Sequence, residues 1–541
     1  MNVETLSRIQ FAVTASFHFV FPPMTIGLGL FLVILQALRV WTKQPIYLEL
    51  ARFWTKVFGL VFAIGVATGI PMEFQFGTNW AHYARFVGDI FGSPLAIEGI
   101  YAFFMESGFL ALLLFGWNKI GPKMHLFSTF MVALGAHFSA IWILVANSWM
   151  QTPAGFHLAR QMKVTADGTQ FPLTADLGNT AFTVKEIPLP QGYVVQPADL
   201  GHVRAVIDNF SAAIFNHTTL DRLAHTIFAC WITGAFVVVA ISAWWLLKNK
   251  FLAEAKISLK ISLVMATAAC LLQMVAGDFT ARGVAKYQPA KLAAMEGIAH
   301  TEKQTPLGIV GWVSWQRDAA GNITGIEPKT IGVPGMLSVL VSGDFLHPAQ
   351  AAQTEVKGLD ELPSDELLRA RHPGASDAEL AALRPQYWPN SPVLFQVYHL
   401  MIGLGVVLLL VSVLGCWWLK TGKIWNTEDK SVRVLLGVFV LCPFVAHLAT
   451  QAGWFTAELG RQPWIVYEVL KTGEAVSAVV HAPQVLSSII MFTLIYLLLT
   501  ALFVTLLLQK IKHGPTPVTK EPPLPEKWQS LSHRSGRQTE D

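Results

Sequence analysis

Long apolar runs separated by short charged connections dominate the chain. Runs long enough to cross a bilayer fall near 9–40, 54–77, 91–117, 125–149, 219–247, 257–278, 392–419, 432–456 and 484–509. Each is close to or above the ~20 residues that a membrane-crossing helix needs. The pattern predicts an all-α polytopic membrane protein with about nine transmembrane helices. It divides the chain into helices one to four (1–150), a loop (151–218), helices five and six (219–278), a longer loop (279–391), helices seven to nine (392–512) and a polar tail (513–541).

Charge sets the direction of these spans. Arg39, Lys43, Arg52 and Lys56 follow the first span, and Lys119 and Lys123 the third. Lys248, Lys250 and Lys256 follow the fifth, Lys420, Lys423, Lys430 and Arg433 the seventh, and Lys510, Lys512, Lys520 and Lys527 the ninth. Alternate connections rich in Lys and Arg belong on the cytoplasmic side. The expected N-terminus is therefore outside (periplasmic) and the C-terminus inside. Both long connections then lie outside, and loops of that length are uncommon without a role. The second holds an acidic, helical-looking piece, Gly358 to Leu383. The tail is Pro-rich and charged, a composition that favours disorder. Gly65 and Gly69 have the spacing that permits close helix contact. No basic n-region or small-residue cleavage site precedes the first span, which is expected to act as an uncleaved insertion signal.

Composition agrees with the pattern. Of 541 residues, 53% are hydrophobic and only 14% charged, against about a quarter charged in soluble domains. The net charge of +4 is not gathered into a patch, so no nucleic-acid partner is expected. Cys230, Cys270, Cys416 and Cys442 all lie in apolar segments without metal-ligand spacing, and no C-x-x-C-H haem attachment is present. They read as small buried apolar residues.

Against this background the polar residues inside spans stand out. His18, Glu98, His225, Met401 and Glu458 all fall in the outer half of the membrane under the expected topology. Glu98 and Glu106 are separated by ~80° of rotation and ~12 Å of rise on an ideal helix, so both can line one side of a cavity. Glu458 lies in GWFTAELGRQPW (Gly453 to Trp464), where a span ends, and an acid at that depth is costly unless it faces a cavity, a partner or a metal. Imidazole, thioether and carboxylate are iron ligands, and a His with a Met on another helix suits a low-spin haem. Yet a membrane His usually bonds a neighbouring helix, a span Met usually packs, and an intramembrane Glu often relays protons. Spacing alone leaves a haem protein and an ion or proton transporter or channel without haem on an equal footing.

Five longer strings separate them: LSRIQFAVTASFH (Leu6 to His18), GVATGIPMEFQFGTNW (Gly65 to Trp80), GDIFGSPLAIEGIYAFFME (Gly88 to Glu106), SAIWILVANSWMQ (Ser139 to Gln151) and GWFTAELGRQPW. In this order the chain resembles subunit I of the cytochrome bd quinol oxidases over nearly its whole transmembrane part. The resemblance implies His225 and Met401 as the axial pair of a low-spin haem b, Glu458 as the ligand of a high-spin haem b, and His18 as the ligand of haem d, or of a third haem b in a variant. His18 and Glu458 are open to exchange between the two high-spin haems. Glu98 is implied beside the haem pair, Glu106 on a proton path toward it, and Trp454 between the haems. Arg461 is a candidate partner of a haem propionate, since Arg suits carboxylates.

In the long second loop, Lys291 and Glu296 of KLAAMEG match the family's quinol-site residues. Without the match they would read as an exposed pair on a loop helix. A Lys and a Glu there can hydrogen-bond a quinol and take its proton. Two departures stand out. His399, implied as a cofactor-binding residue, occupies the place where many members carry Arg, which points toward a divergent branch such as the cyanide-insensitive type. On reaching a propionate it would make the low-spin haem's potential pH-dependent. Residues 150–218 are also longer than this connection usually is. The implied function is that of a terminal oxidase in the bacterial inner membrane. It takes electrons from ubiquinol or menaquinol and reduces oxygen to water, with proton motive force arising from vectorial proton uptake without a pump. The expected partners are oxidase subunit II, a small single-span subunit and membrane lipid. A haem electron carrier that reduces something other than oxygen is a further alternative.

Overall fold

The computed structural model describes residues 1–517 except 179, 197 and 198. Most of the expected tail, from 518 onward, lies outside the described residues. Nine helical stretches among the described residues are long and apolar enough to span a membrane. The expected all-α membrane bundle is what is found, with small sheets on the face that carries the long loops.

The first span is not one helix. α1 (Val3–His18) ends at His18, and α2 (Phe21–Thr42) begins three residues later. Pro22 and Pro23 supply the reason. Neither has an N–H, so neither can bond back four residues to the carbonyls of His18 and Phe19. The helix breaks just before the pair, and His18 is left at a helix end. α3 (Pro45–Thr78) runs back across, followed by short α4 (Ala81–Phe86) and by a third span made of α5 (Gly88–Ile97), a π-helical turn (Glu98–Phe103) and α6 (Phe104–Phe115). α7 (Pro122–Gln151) completes the first four spans.

The connection that follows folds into an antiparallel sheet of β1 (Phe156–Thr165), β2 (Gln170–Pro172), β3 (Phe182–Pro188) and β4 (Val203–Ile207). β1 is central: β3 covers one edge, while β2 and β4 share the other, with Met162 opposite Pro172 and Ala159 opposite Arg204. The sheet is anchored to the bundle where Ile207 N–H donates to Asp89 Oδ2 (2.8 Å) and where Phe156 meets Trp149 edge-on. A short helix α8 (Phe210–Ile214) leads into α9 (Thr219–Leu247) and α10 (Leu252–Tyr287).

The second long connection opens with α11 (Pro289–Glu296), then a hairpin of β5 (Leu307–Arg317) and β6 (Ile323–Val333). It continues through α12 (Met336–Ser342), α13 (Pro348–Ala351), α14 (Asp365–Arg371) and α15 (Asp377–Leu383). The acidic piece is thus helical, interrupted between Arg371 and Asp377, and α15 starts on a capping box in which Ser376 and Glu379 satisfy each other's backbone. α16 (Ser391–Thr421), α17 (Lys430–Leu459), a small hairpin of β7 (Trp464–Val466) and β8 (Leu470–Lys471), and α18 (Ala482–His513) finish the described chain.

The apolar core joins α2, α3, α9, α10 and α17, with Leu28, Phe31, Trp54, Phe58, Phe236, Trp245 and Phe439 fully buried. α9 is its axis: 72% of its most apolar window is buried, against 6% for α18. α18 therefore turns most of its apolar surface outward, as a lipid-facing helix does.

Candidate functional site

Four polar clusters lie among the helices, two of them at loop-side ends and two deeper in the spans. The first surrounds Glu458, near the end of α17. Its carboxylate accepts from Asn147 Nδ2 (2.8 Å) and more loosely from Gln151 Nε2 (3.5 Å), both on α7. It is also paired with the buried Arg461 guanidinium. Arg461 donates in addition to the carbonyls of Trp464 and Ile465, which ties down the Arg-Gln-Pro-Trp corner. Asn147 Oδ1 accepts from Arg222 on α9 (2.6 Å). Two guanidinium groups thus converge on one carboxylate.

The second cluster adjoins it. Lys291 of α11 is 1% exposed, and its Nζ donates to Gln151 Oε1 (2.5 Å) and Gln288 Oε1 (2.8 Å). Gln288 also donates to Gln151 (3.0 Å), so Gln151 links the loop helix to Glu458. A Cβ on Gly460 would sit 2.7 Å from Lys291 Cγ, so the end of α17 can lie on the lysine stem only without a side chain there. Burial, then the nearby Arg222, holds the Lys291 ammonium well below its usual range. Glu296 is 6% exposed, and its Oε2 has no partner among the described residues. Burial pushes its carboxyl up to about 7, opposed by a hydrogen bond from Tyr398. The reading of an exposed pair does not survive, because both side chains are buried. Nor do they share a neighbour. Five residues on a helix is ~140° of rotation, so Lys291 turns to α7 and Glu296 to α16.

The third cluster holds His18. Its Nδ1 lies 3.0 Å from Thr68 Oγ1 of α3, which itself donates to the Gly65 carbonyl (2.9 Å). A Cβ on Gly69 would stand 3.1 Å from His18 Cε1, and one on Gly65 would stand 3.2 Å from Phe21. The Gly65/Gly69 pair thus admits the α1–α2 break. Polar residues at spacing four on α1 continue the contact: Thr14 accepts from Gln75 (3.0 Å), and Gln10 from Asn79 (2.6 Å). Trp454 of α17 reaches the same region, its ring 6.0 Å from that of Phe19.

The fourth lies on the third span. Ser139 donates to Glu98 (2.5 Å), and Glu98 is within electrostatic reach of both Glu73 and Glu106. Glu98 starts the π-helical turn, so the ideal-helix spacing between it and the buried Glu106 does not apply, since the wider turn changes their angular offset.

His225 and Met401 have contacts of their own. Gln273 Nε2 of α10 stands 3.2 and 3.1 Å from the two ring nitrogens of His225, and Gly277 leaves room beside the ring. Met401 Sδ would be 3.0 Å from a Cβ on Gly453. Two residues before it, His399 has Nδ1 2.8 Å from the Phe395 carbonyl and Nε2 3.1 Å from the Gly308 carbonyl, which ties β5 to α16.

Several of these residues escaped the reading of the sequence. Gln151 and Asn147 lie in SAIWILVANSWMQ, but nothing in their spacing marks them as partners of Glu458. Arg222, three residues before His225, carried a signal as a cation inside an apolar run. The Pro22-Pro23 pair was a direct signal for the break beside His18.

Comparison with known proteins agrees with these strings. The family model described as "Cytochrome bd terminal oxidase subunit I" matches residues 6–184 and 187–515. The chain is 34% identical to "Cytochrome bd-II ubiquinol oxidase subunit 1" of Escherichia coli K12, over 96% of this chain and 99% of that one. It is 33% identical to "Cytochrome bd ubiquinol oxidase subunit 1" of Bacillus subtilis 168, over 98% and 100%. Its fold is similar to the solved structure of the bd oxidase from Geobacillus thermodenitrificans, with a TM-score of 0.72, 26% identity and 95% and 99% coverage.

Proposed function

This chain belongs to the cytochrome bd terminal oxidase subunit I family, and from that premise we propose that it is the quinol-oxidising, oxygen-reducing subunit of a terminal respiratory oxidase. The observation that carries the proposal is the continuous polar path from Lys291 through Gln151 to Glu458, flanked by Arg222 and Arg461. It joins a loop site suited to a quinol with a carboxylate suited to iron. A transporter has no need of that link.

The donor set fits haem. Imidazole, thioether and carboxylate are iron ligands. The Nε atoms of Arg222 and Arg461 are buried without a partner among the described residues, and such guanidinium groups suit propionates. His225 and Met401 would hold a low-spin haem b, Glu458 a high-spin haem b, and His18 haem d or a third haem b. When bound, these haems supply iron that carries electrons and binds oxygen.

The chain's own residues do the rest. Lys291, whose ammonium burial holds well below its usual range, hydrogen-bonds the quinol headgroup, and Glu296 accepts a quinol proton. Proton release takes place on the outer side. Glu106, Ser139 and Glu98 pass protons from the inside toward the site of oxygen reduction, so charge separates across the membrane without a pump. Arg222 and Arg461 balance the negative charge of Glu458. Trp454 fills the space between the sites, and His399 keeps the β5 hairpin against the helix that carries Met401. The N-terminus is periplasmic, the C-terminus cytoplasmic, and the membrane is the bacterial inner membrane. Oxidase subunit II and a small single-span subunit complete the complex.

Haem extraction and the visible spectrum of the purified complex test this reading. Both b-type and chlorin absorption are expected; b-type alone would place a third haem b at His18, and absence of both would overturn the function. Met401→Leu should abolish the low-spin spectrum and leave the high-spin one, and an unchanged low-spin band would refute that ligand.

A further inference from the structure

α17 faces the α1–α2 break with a single stripe. His447, Gln451, Trp454 and Glu458 follow one another at offsets that keep them within ~40° of one line along a helix. Their contacts are successive. His447 Nε2 lies 3.1 Å from the Val20 carbonyl oxygen, and its Nδ1 2.8 Å from the Pro443 carbonyl oxygen. Both neighbours are acceptors, so whichever ring nitrogen carries the proton donates to its carbonyl. Gln451 Nε2 donates to the Ser16 carbonyl (2.7 Å), and the Trp454 ring stands beside Phe19. Three residues of one helix thus hold residues 16, 19 and 20, two of them by main-chain carbonyls on either side of His18.

The break needs such a hold. Pro22 and Pro23 leave the carbonyls of His18 and Phe19 without their usual helical donors. From the other side the His18 ring meets the Thr68 hydroxyl. A ligand at the end of a helix has more freedom than one in its middle, since terminal turns fray first.

We propose that His447 and Gln451 are positioning residues for His18, and that the α17 stripe sets its place relative to Glu458. This rests on the proposed roles of His18 and Glu458 as iron ligands. In that reading the spacing of the two high-spin haems is written into one helix, while the low-spin site at His225 and Met401 is held by other contacts.

The test compares His447→Leu, Gln451→Leu and the double variant with His447→Gln, which keeps a donor, and with Leu448→Ala on the exposed side of the same turn. Two quantities are read on the purified oxidase complex: the ratio of high-spin to low-spin haem absorption, and hydrogen exchange in a peptide covering residues 13–24. The double variant should lower the ratio while retaining the low-spin band. It should also speed exchange around residues 16–21 by roughly five- to ten-fold, as loss of buried hydrogen bonds does. His447→Gln should recover most of both, and Leu448→Ala should change neither. An unchanged ratio together with unchanged exchange overturns the proposal, as does an equal loss of both haem signals in an assembled complex. If the double variant does not assemble, the single Leu variants are judged by the same criteria. Absence of haem from the unaltered protein would sink the functional reading alone, because the exchange measurement still judges the stripe.

Discussion

Two helix seams in this molecule are built in opposite ways. Where α2 meets α9, Gly27 and Gly234 lie backbone to backbone, and a Cβ on Gly234 would stand 2.4 Å from Gly27 Cα. Among the described residues no side-chain hydrogen bond joins these two helices at that point, and the contact is backbone packing of the kind that holds helices together in lipid. Where α17 meets the α1–α2 break, side chains instead reach across to main-chain carbonyls. The first seam only has to hold. The second has to hold a break in place, and directed hydrogen bonds do that where close packing cannot. The loop side repeats the second pattern around Gln151, with side-chain atoms of Arg222, Arg461 and Glu296 that have no partner among the described residues. Those atoms suit groups that the chain does not itself provide.

Substitutions test the contrast. The largest effect is expected at the packed seam. Gly234→Ala should cost ~3 kcal/mol or more, because backbone rather than a movable side chain opposes the methyl group. Gly437→Ala on α17, where an added Cβ would meet nothing within 4 Å among the described residues, should be neutral or slightly stabilising. The yield of monodisperse complex on size exclusion measures both, and equal yields would erase the distinction between the seams.

At the polar side the readout moves from assembly to chemistry. Glu296→Gln should cut quinol oxidation by ~100-fold or more, as loss of a general base does, with the haem spectra unchanged. The pH dependence has a definite sign. With its carboxyl raised to about 7, Glu296 becomes available as a base only as pH climbs through that value, so the rate should rise with pH there and the rise should vanish in the variant. The linkage to stability runs the other way. The folded state binds the proton more tightly than the unfolded one, so the contribution of Glu296 is most favourable below the unfolded value of ~4.3 and is lost as pH rises through about 7.

Gln151→Leu should be milder, at ~10-fold in quinol oxidation, because Gln288 still accepts from Lys291. An unaltered rate would break the proposed link between Lys291 and Glu458. The smallest effect on the rate is expected at Arg371, which pairs with Glu474 (3.4 Å), reaches from α14 to the Val469 carbonyl (2.6 Å) and lies over the Trp464 ring at 4.6 Å. Arg371→Ala should lower stability by ~2 kcal/mol, seen as a drop in Tm with the rate retained.

Much of this architecture was legible in the residues. Nine spans follow from apolar length alone, since a bilayer admits few other solutions. The five strings were enough to point to the family, and rare polar residues inside spans pointed to Glu458, Glu98 and His18. The burial of Lys291 was not legible. KLAAMEG on its own reads as an exposed loop helix, and what buries it is Gly460 and Gln151, residues far away in the chain. The loop sheet around β1 was missed for a different reason. Its central strand pairs with β3 and β4, which stand well downstream in the chain, so no short window of sequence contains both edges.

Local rules thus reach as far as each helix, its ends and its odd polar residue. Pro22 and Pro23 break a helix wherever they stand, because a missing N–H is a property of the residue. Which carbonyls His447 and Gln451 would find, and that Lys291 would lie one glutamine away from Glu458, depended on how the helices pack. Those contacts join residues more than a hundred positions apart, and no periodicity along the chain encodes them.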